Sequence, residues 1–330
     1  MSVLRRPRPF ARRRAGDAED PLVFAGSASP RLTAAICREL GLAPGRGEVI
    51  RFSEGTLFVR VLENVRGREA YVVQSTVFPT NDSFMELLFW IDALRRASAE
   101  SVTVVVPYFG YGKGDKKDEP RVSIRARVCA DAIEAAGADR VVTLDLHAPQ
   151  IQGFFRVPVD DLYAAPYLCA AIQRLRLRNV VVVSPDAGFA KRARRYAHRL
   201  QAPLAVADKI RTDHSETVAV VDVIGDVAGR DAVVVDDFTI SADTLVETAE
   251  ELKARGASSV VAAVTHGVLA EPATERLDRS PIERLIVTDS IENHPAALSP
   301  KVEVVSVAPL FAEAIRRIHR RESISVLFED

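Results

Sequence analysis

The run Val233-Val234-Val235-Asp236-Asp237-Phe238-Thr239-Ile240-Ser241-Ala242-Asp243-Thr244-Leu245 is an apolar strand pattern that ends in paired acids and passes through a hydroxyl-bearing loop into a helical stretch. In open α/β sheets, ligands collect at the carboxyl ends of strands, where loops carry free backbone N–H groups. The residue types suit a phosphorylated sugar. Carboxylates at Asp236 and Asp237 can accept hydrogen bonds from ribose hydroxyls or hold a divalent cation, and Ser241 and Thr244 offer hydroxyls to a phosphate. Asp243 fits badly, because it adds negative charge where an anion would sit.

Three further clusters fall just past apolar runs: Gly110 to Lys117, Asp145 to His147 and Ser184 to Gly188. Taken alone, His147 reads as a structural histidine. With Asp186 on a neighbouring strand-end loop, it could instead help hold a magnesium ion that also uses phosphate oxygens and keeps several waters. Lys209-Ile210-Arg211 follows the run Leu204 to Ala207. Its bland reading is a solvated charged turn; its functional reading is a point charge and a planar fork that stabilise charge developing in phosphoryl transfer. The loop Gly110-Tyr111-Gly112-Lys113-Gly114-Asp115-Lys116-Lys117 alternates glycines, which allow close backbone approach to a phosphate, with neutralising lysines. It lacks the spacing of a nucleotide-binding P-loop, so its signal as a lone motif is weak.

Strand-like runs at Ala70 to Gln74, Val102 to Pro107, Arg140 to Leu144, Asn179 to Ser184, Ala232 to Val235, Ser259 to Val264 and Leu285 to Thr288 alternate with amphipathic helical stretches such as Asn81 to Ala97 and Ala242 to Arg255. Gly256 stops the latter as helix C-capping requires. That alternation gives an α/β class with largely parallel sheets flanked by helices. At 330 residues the chain exceeds the ~150 usual for one domain, so two domains, each with its own core, are expected. Val104 to Lys117 and Val233 to Thr244 share a strand-loop-helix plan, which suggests duplication of one unit, with the join in the Pro-containing acidic turns of Pro158 to Pro166. The expected division is a basic, disordered tail over residues 1–21, a first domain over 22–162 and a second over 163–330.

The net charge of -1 gives no global attraction to nucleic acid. No apolar run approaches the ~18 residues that would span a bilayer. Six arginines within the first fourteen residues precede no apolar core, so this is not a signal peptide. Cys37, Cys129 and Cys169 are isolated, which points to buried, inert thiols and a reducing compartment, the cytoplasm.

Read in order, the strings Phe24-Ala25-Gly26-Ser27, Arg51-Phe52-Ser53-Glu54-Gly55, Glu63-Asn64-Val65-Arg66-Gly67, Pro107-Tyr108-Phe109-Gly110-Tyr111, Asp145-Leu146-His147-Ala148 and Gln150-Ile151-Gln152-Gly153-Phe154-Phe155 resemble those of the ribose-phosphate diphosphokinases, also called phosphoribosyl pyrophosphate synthetases. The resemblance runs from about Phe24 to the C-terminus. It implies two phosphoribosyltransferase-like domains with the active site between them, and dimers that assemble to hexamers. It also implies a magnesium-dependent reaction in which ribose 5-phosphate takes pyrophosphate whole from ATP and AMP leaves.

By the same resemblance His147 and Asp186 match the metal site, and Lys209 with Arg211 the catalytic loop. Asp236 and Asp237 match the acids facing ribose, and Ser241, Ala242, Asp243 and Thr244 the 5-phosphate loop. Phe52 and Glu54 fall in the segment that holds adenine across a subunit interface, with Thr56 where many relatives carry an acid. Lys113-Gly114, next to Asp115, replaces an Arg-Gln pair that meets ATP. Where relatives commonly read Asp-Thr-Gly-Gly-Thr, this chain has Ile240-Ser241-Ala242-Asp243-Thr244. A carboxylate ~5 Å from a phosphate charge, at an effective dielectric of ~20, repels it by roughly 3 kcal/mol. The loop can still form, since Asp tolerates left-handed backbone angles better than most residues, and an intervening cation would remove the repulsion. Besides active synthesis, three readings stay open: a catalytically weak regulatory or scaffold subunit of a synthetase hexamer, a diphosphokinase for another sugar acceptor, and a phosphoribosyltransferase.

Overall fold

Val104 to Val106 and Val233 to Val235 are buried residue after residue, so both faces of their strands are covered. Consecutive burial of this kind marks interior strands of parallel sheets. The computed structural model describes residues 19–210, 220–293 and 298–328. The expected tail therefore lies almost wholly outside the described residues.

The first half runs β1 (Leu22–Ala25), α1 (Pro30–Leu40), β2 (Gly47–Arg51), β3 (Leu57–Val61), β4 (Glu69–Val73), α2 (Thr80–Arg96), β5 (Ser101–Val106), α3 (Arg125–Ala136), β6 (Arg140–Leu144) and β7 (Val159–Leu162). Five of these strands form a parallel sheet in the order β1-β4-β5-β6-β7. β2 and β3 form a separate antiparallel hairpin. The second half runs α4 (Ala165–Arg174), β8 (Val180–Ser184), α5 (Ala190–Arg199), β9 (Leu204–Ile210), β10 (Val220–Ile224), β11 (Asp231–Thr239), α6 (Asp243–Ala254), β12 (Ser259–Gly267), α7 (Ala273–Arg279), β13 (Arg284–Thr288), β14 (Val302–Val305) and α8 (Ala308–Arg320). Its seven-stranded sheet has the order β10-β9-β8-β11-β12-β13-β14, parallel except for β10 at one edge. The α/β architecture with two helix-flanked sheets is as the alternation of patterns requires.

One local expectation changes. Pro158 to Pro166 contains a strand, β7, paired in parallel with β6 at the edge of the first sheet. Asp160 and Asp161 read as turn residues in sequence, but their partners lie within the sheet: Asp160 pairs with Arg140, and the Thr143 hydroxyl donates to Asp161. Each half has a buried cluster of its own, around Trp90 in the first and Val234 in the second, and the two halves share a third. The shared cluster joins Val23, Ile36 and Tyr71 from the first half to Val182, Phe311 and Ile315 from the second. Polar contacts add to the join: His319 Nδ1 lies 2.9 Å from Glu69 Oε2, and the Ser75 hydroxyl donates to the Ser290 carbonyl at 2.6 Å. Shared apolar burial of this extent holds the strand ends of the two sheets in fixed relation, because packed interiors deform little.

Candidate active site

β6 ends at Leu144, and the chain turns at Asp145 with a left-handed φ of 41°. Such angles strain most side chains, while Asp is one of the residues that adopt them. Asp145 closes the turn through one oxygen, which accepts from the Ala164 N–H at 3.0 Å and the Thr265 hydroxyl at 2.7 Å. Leu146 is then buried and His147 projects toward the second sheet, where its Nδ1 lies 2.7 Å from Asp237 Oδ2. Arg192 of α5 stands behind the pair. Its Nη1 is 3.5 Å from the same Asp237 oxygen, and its Nη2 donates to the Leu146 carbonyl.

Asp236 and Asp237 belong to β11, which extends to Thr239, so the paired acids are strand residues rather than loop residues. Adjacent strand residues face opposite sides, but the two acids stay in touch, the Asp237 N–H donating to Asp236 Oδ1 at 2.9 Å. Asp236 keeps some surface exposed, yet desolvation by the surrounding protein pushes its carboxyl well above the usual range, helped by the charges of Asp237 and Asp186. Asp237 is 5% exposed, and burial works against its charge. The His147 bond, the neighbouring Asp236 and Arg192 outweigh that and hold Asp237 below the usual carboxylate range. Burial and like charge thus act against the charged form of Asp236, while the His147 bond favours the charged form of Asp237.

Asp186, just beyond β8, accepts a 2.8 Å hydrogen bond from the Phe189 N–H at the head of α5. It reaches the centre through Asp236, whose carboxyl it raises. Among the described residues, no three His, Cys, Asp or Glu side chains are grouped to hold a metal ion between them. Magnesium does not demand such a group, since it is usually bound by one or two carboxylates with phosphates and waters.

The loop after β11 is held from within. The Ser241 hydroxyl donates to Asp243 Oδ2 at 2.6 Å, and Arg276 of α7 reaches Asp243 Oδ1 at 2.5 Å. Ala242, not Asp243, takes the left-handed angle, with φ of 65°, and Asp243 is the first residue of α6. Asp243 is therefore an ion-paired acid at a helix start, a favourable place for negative charge. Thr244 follows within the helix.

Lys113 lies in a single 3-10 turn, Gly112–Gly114, that Asp115 ends. Its Nζ sits 4.2 Å from the centre of the Phe238 ring, and His147 packs edge-on against that ring at 5.4 Å. Lys113, Phe238, His147 and Asp237 thus form one contiguous group. Two of the three glycines here, Gly110 and Gly114, answer first to packing. A Cβ on Gly110 would collide with the Thr76 carbonyl, and one on Gly114 would come within 2.6 Å of Arg125 Nε.

Phe52, Glu54 and Thr56 form the tip of the β2-β3 hairpin. The Phe52 N–H donates to the Thr56 carbonyl at 2.9 Å, and the Thr56 hydroxyl donates to Glu54 at 2.7 Å, which holds that carboxyl below its usual range. Phe52 is 45% exposed. Among the described residues, no hydrogen bond or ion pair ties this tip to the His147–Asp237 centre, whereas Arg51 at its base pairs with Asp82 of α2 at 2.6 Å. Lys209 lies on β9, opposite Val221 of β10, and Arg211 falls outside the described residues.

Arg192, Asp161 and Arg276 are charged residues in or beside this arrangement that the sequence alone does not single out. Arg192 hides in the basic run Lys191-Arg192-Ala193-Arg194-Arg195, which looks solvated. Its spacing carries a signal, because Phe189, Ala193, Tyr196 and Ala197 mark the buried face of α5, and residue 192 lies on it. Asp161 is 2% exposed, and burial first, then the Asp145 charge, raises its carboxyl to about 7. Arg276 carries no local signal, since its partner lies 33 positions earlier in the chain.

Residues 22–137 match the family described as the N-terminal domain of ribose phosphate pyrophosphokinase, and residues 208–329 match the phosphoribosyl synthetase-associated domain. The chain is 48% identical over 307 residues to a ribose-phosphate pyrophosphokinase of Caldanaerobacter subterraneus subsp. tengcongensis, covering 93% of this chain and 97% of that one. It is also 48% identical over 309 residues to a ribose-phosphate pyrophosphokinase of Rhizobium meliloti, covering 93% and 99%. The crystal structure of phosphoribosylpyrophosphate synthetase from Mycobacterium smegmatis superposes with a TM-score of 0.86 at 38% identity, covering 92% of this chain and 100% of that one.

Proposed function

Because the chain belongs to the ribose-phosphate pyrophosphokinase family, we propose that it transfers the pyrophosphoryl group of ATP to the C1 hydroxyl of ribose 5-phosphate, giving phosphoribosyl pyrophosphate and AMP. The observation that carries this reading is the His147–Asp237 contact, 2.7 Å across the two sheets, with a second carboxyl at Asp236 and a lysine at Lys113 beside it. In the reaction the C1 oxygen forms a bond to the β-phosphorus while the bond from that phosphorus to the α-phosphate oxygen breaks. The electron pair leaves with AMP and the hydroxyl proton is released. Little covalent chemistry is asked of the protein, so positioning and charge stabilisation dominate.

Asp236 and Asp237 orient the ribose hydroxyls by accepting hydrogen bonds from them. The Ser241 to Thr244 segment takes the 5-phosphate. Lys113 stands on the phosphate side of Phe238, and Lys209 with Arg211 supplies positive charge as the β-phosphoryl moves. Phe52, Glu54 and Thr56 at the hairpin tip, with Gly114 and Asp115, serve ATP. The exposed Phe52 and Phe58 on the hairpin and Phe78, Met85 and Phe89 near it favour assembly of copies into dimers and then a hexamer. Residues 22–162 and 163–330 form the two phosphoribosyltransferase-like units.

The residues present fit a magnesium ion. Asp186, Asp236 and Asp237 bring three carboxyls together, and burial first, then the charges of Asp237 and Asp186, raises the Asp236 carboxyl. With Nδ1 committed to Asp237, His147 has its other ring nitrogen free as a ligand, and Asp186 offers an oxygen. When bound there, magnesium supplies charge neutralisation on the phosphate oxygens. The three cysteines are buried with thiols raised to about 11 or 12, which suits a reducing, cytoplasmic setting; no helix among the described residues is long and apolar enough to cross a membrane. Purified protein given ATP, magnesium and ribose 5-phosphate should release AMP in step with consumption of the sugar. No AMP at millimolar substrate would refute the reading.

A further inference from the structure

The Ser241–Thr244 loop carries an anion of its own at the place read above as the 5-phosphate subsite, and that anion is engaged on both oxygens. Asp243 Oδ2 takes the Ser241 hydroxyl at 2.6 Å, and Asp243 Oδ1 takes Arg276 at 2.5 Å. The same Arg276 nitrogen also lies 3.4 Å from the Ser241 carbonyl. An acid placed at a helix start only to suit the helix dipole would need neither partner. Arg276 comes from α7, a separate element that follows the β12 crossover, and it reaches back over the loop.

We propose that Arg276 is a specificity-determining residue, which keeps this loop open to a doubly charged sugar phosphate by neutralising Asp243. The proposal rests on the reading of Ser241 to Thr244 as the phosphate loop. The carboxylate and the guanidinium sum to zero, so the loop presents no net charge of its own. An incoming phosphate takes the Ser241 hydroxyl from Asp243, and Asp243 keeps Arg276. The loop then holds one paired anion and one bound anion rather than two facing each other. Without Arg276, the carboxylate confronts the phosphate directly. Unscreened by solvent, that repulsion is worth about two orders of magnitude in affinity. Asp243 and Arg276 keep 48% and 43% of their side-chain surface exposed, which lowers the expected effect to about tenfold.

The experiment compares Arg276→Met, Arg276→Lys and the double variant Asp243→Gly with Arg276→Met. It reads KM and kcat for ribose 5-phosphate by AMP release, and the rise in Tm caused by ribose 5-phosphate alone. Arg276→Met should raise KM about tenfold with kcat within about twofold of the parent, and it should shrink the Tm rise. Arg276→Lys should stay near the parent, and the double variant should return KM and the Tm rise to near parental values. An unchanged KM in Arg276→Met overturns the proposal. So does an equal rise in KM with or without Asp243, which would make Arg276 a direct phosphate ligand. A parent that binds the sugar phosphate but releases no AMP would refute the proposed reaction, while the Tm series would still decide the role of Arg276.

Discussion

His147 Nδ1 and Asp237 Oδ2 lie 2.7 Å apart although 90 residues separate them, and each comes from the end of a strand in a different sheet. The contact closes the seam between the two halves at the place where both present their polar strand ends. Residues that act as one unit give strongly non-additive losses. Asp237→Asn and His147→Ala should each lower kcat by about 10- to 100-fold, the range seen when a ligand's orienting partner is removed. The double variant should lose little more than the worse single one. Additive losses, measured as AMP release under saturating substrates, would mean that the two side chains act separately.

Arg192 should matter to stability more than a basic residue in so basic a helix suggests. Its guanidinium is 21% exposed, and the Asp237 carboxylate it faces is 6% exposed. Removing one partner of a buried pair leaves an uncompensated charge and costs about 3 to 5 kcal/mol. Partial exposure and the remaining His147 bond put Arg192→Met near about 2 kcal/mol. Arg194→Met, on the same helix outside the buried face, should cost less than about 0.5 kcal/mol. Urea unfolding of the two variants makes the comparison.

Asp161 adds a pH dependence with a definite sign. Its carboxyl is raised to about 7 in the folded protein from an ordinary value of 3.8. Between these limits the folded protein holds a proton that the unfolded chain has released, so stability falls as the pH rises from about 4 to 7 and levels off above. Asp161→Asn mimics the protonated form and keeps an oxygen for the Thr143 hydroxyl and the Leu146 N–H. Between pH 5 and pH 8 the parent should lose about 2.5 kcal/mol more than this variant, by the conversion of about 1.4 kcal/mol per pH unit. Parallel stability curves would show that Asp161 stays ionised.

The glycine-rich segment before α3 separates packing from ligand binding. Gly110→Ala should cost about 2 kcal/mol or more, because the added Cβ meets the Thr76 carbonyl and backbone must move. At Gly112 a Cβ would find only ordinary contacts, with His147 Cβ at 3.7 Å, so Gly112→Ala should fold with nearly parental stability. Equal Tm values for the two variants would contradict the packing account.

Much of this molecule is set by local pattern. Valine-rich runs, amphipathic stretches between them and glycine at position 256 determine the strands, the helices and the α/β class, since periodicity and capping act over a few residues. The same locality places Asp145, His147, Asp186 and Asp236 just beyond or at strand ends. What tertiary structure alone decided is which of these groups meet. Separation along the chain hides the choice of Asp237, rather than Asp186, as the immediate partner of His147. It also hides the burial that turns Asp161 from a turn acid into a carboxyl raised to about 7, and the approach of Arg276 to Asp243. Each depends on desolvation and on Coulomb contacts between distant segments, which residue order does not encode locally. Asp243 shows the difference most clearly, as an unopposed charge when read along the chain and half of an ion pair once α7 has folded back over the loop.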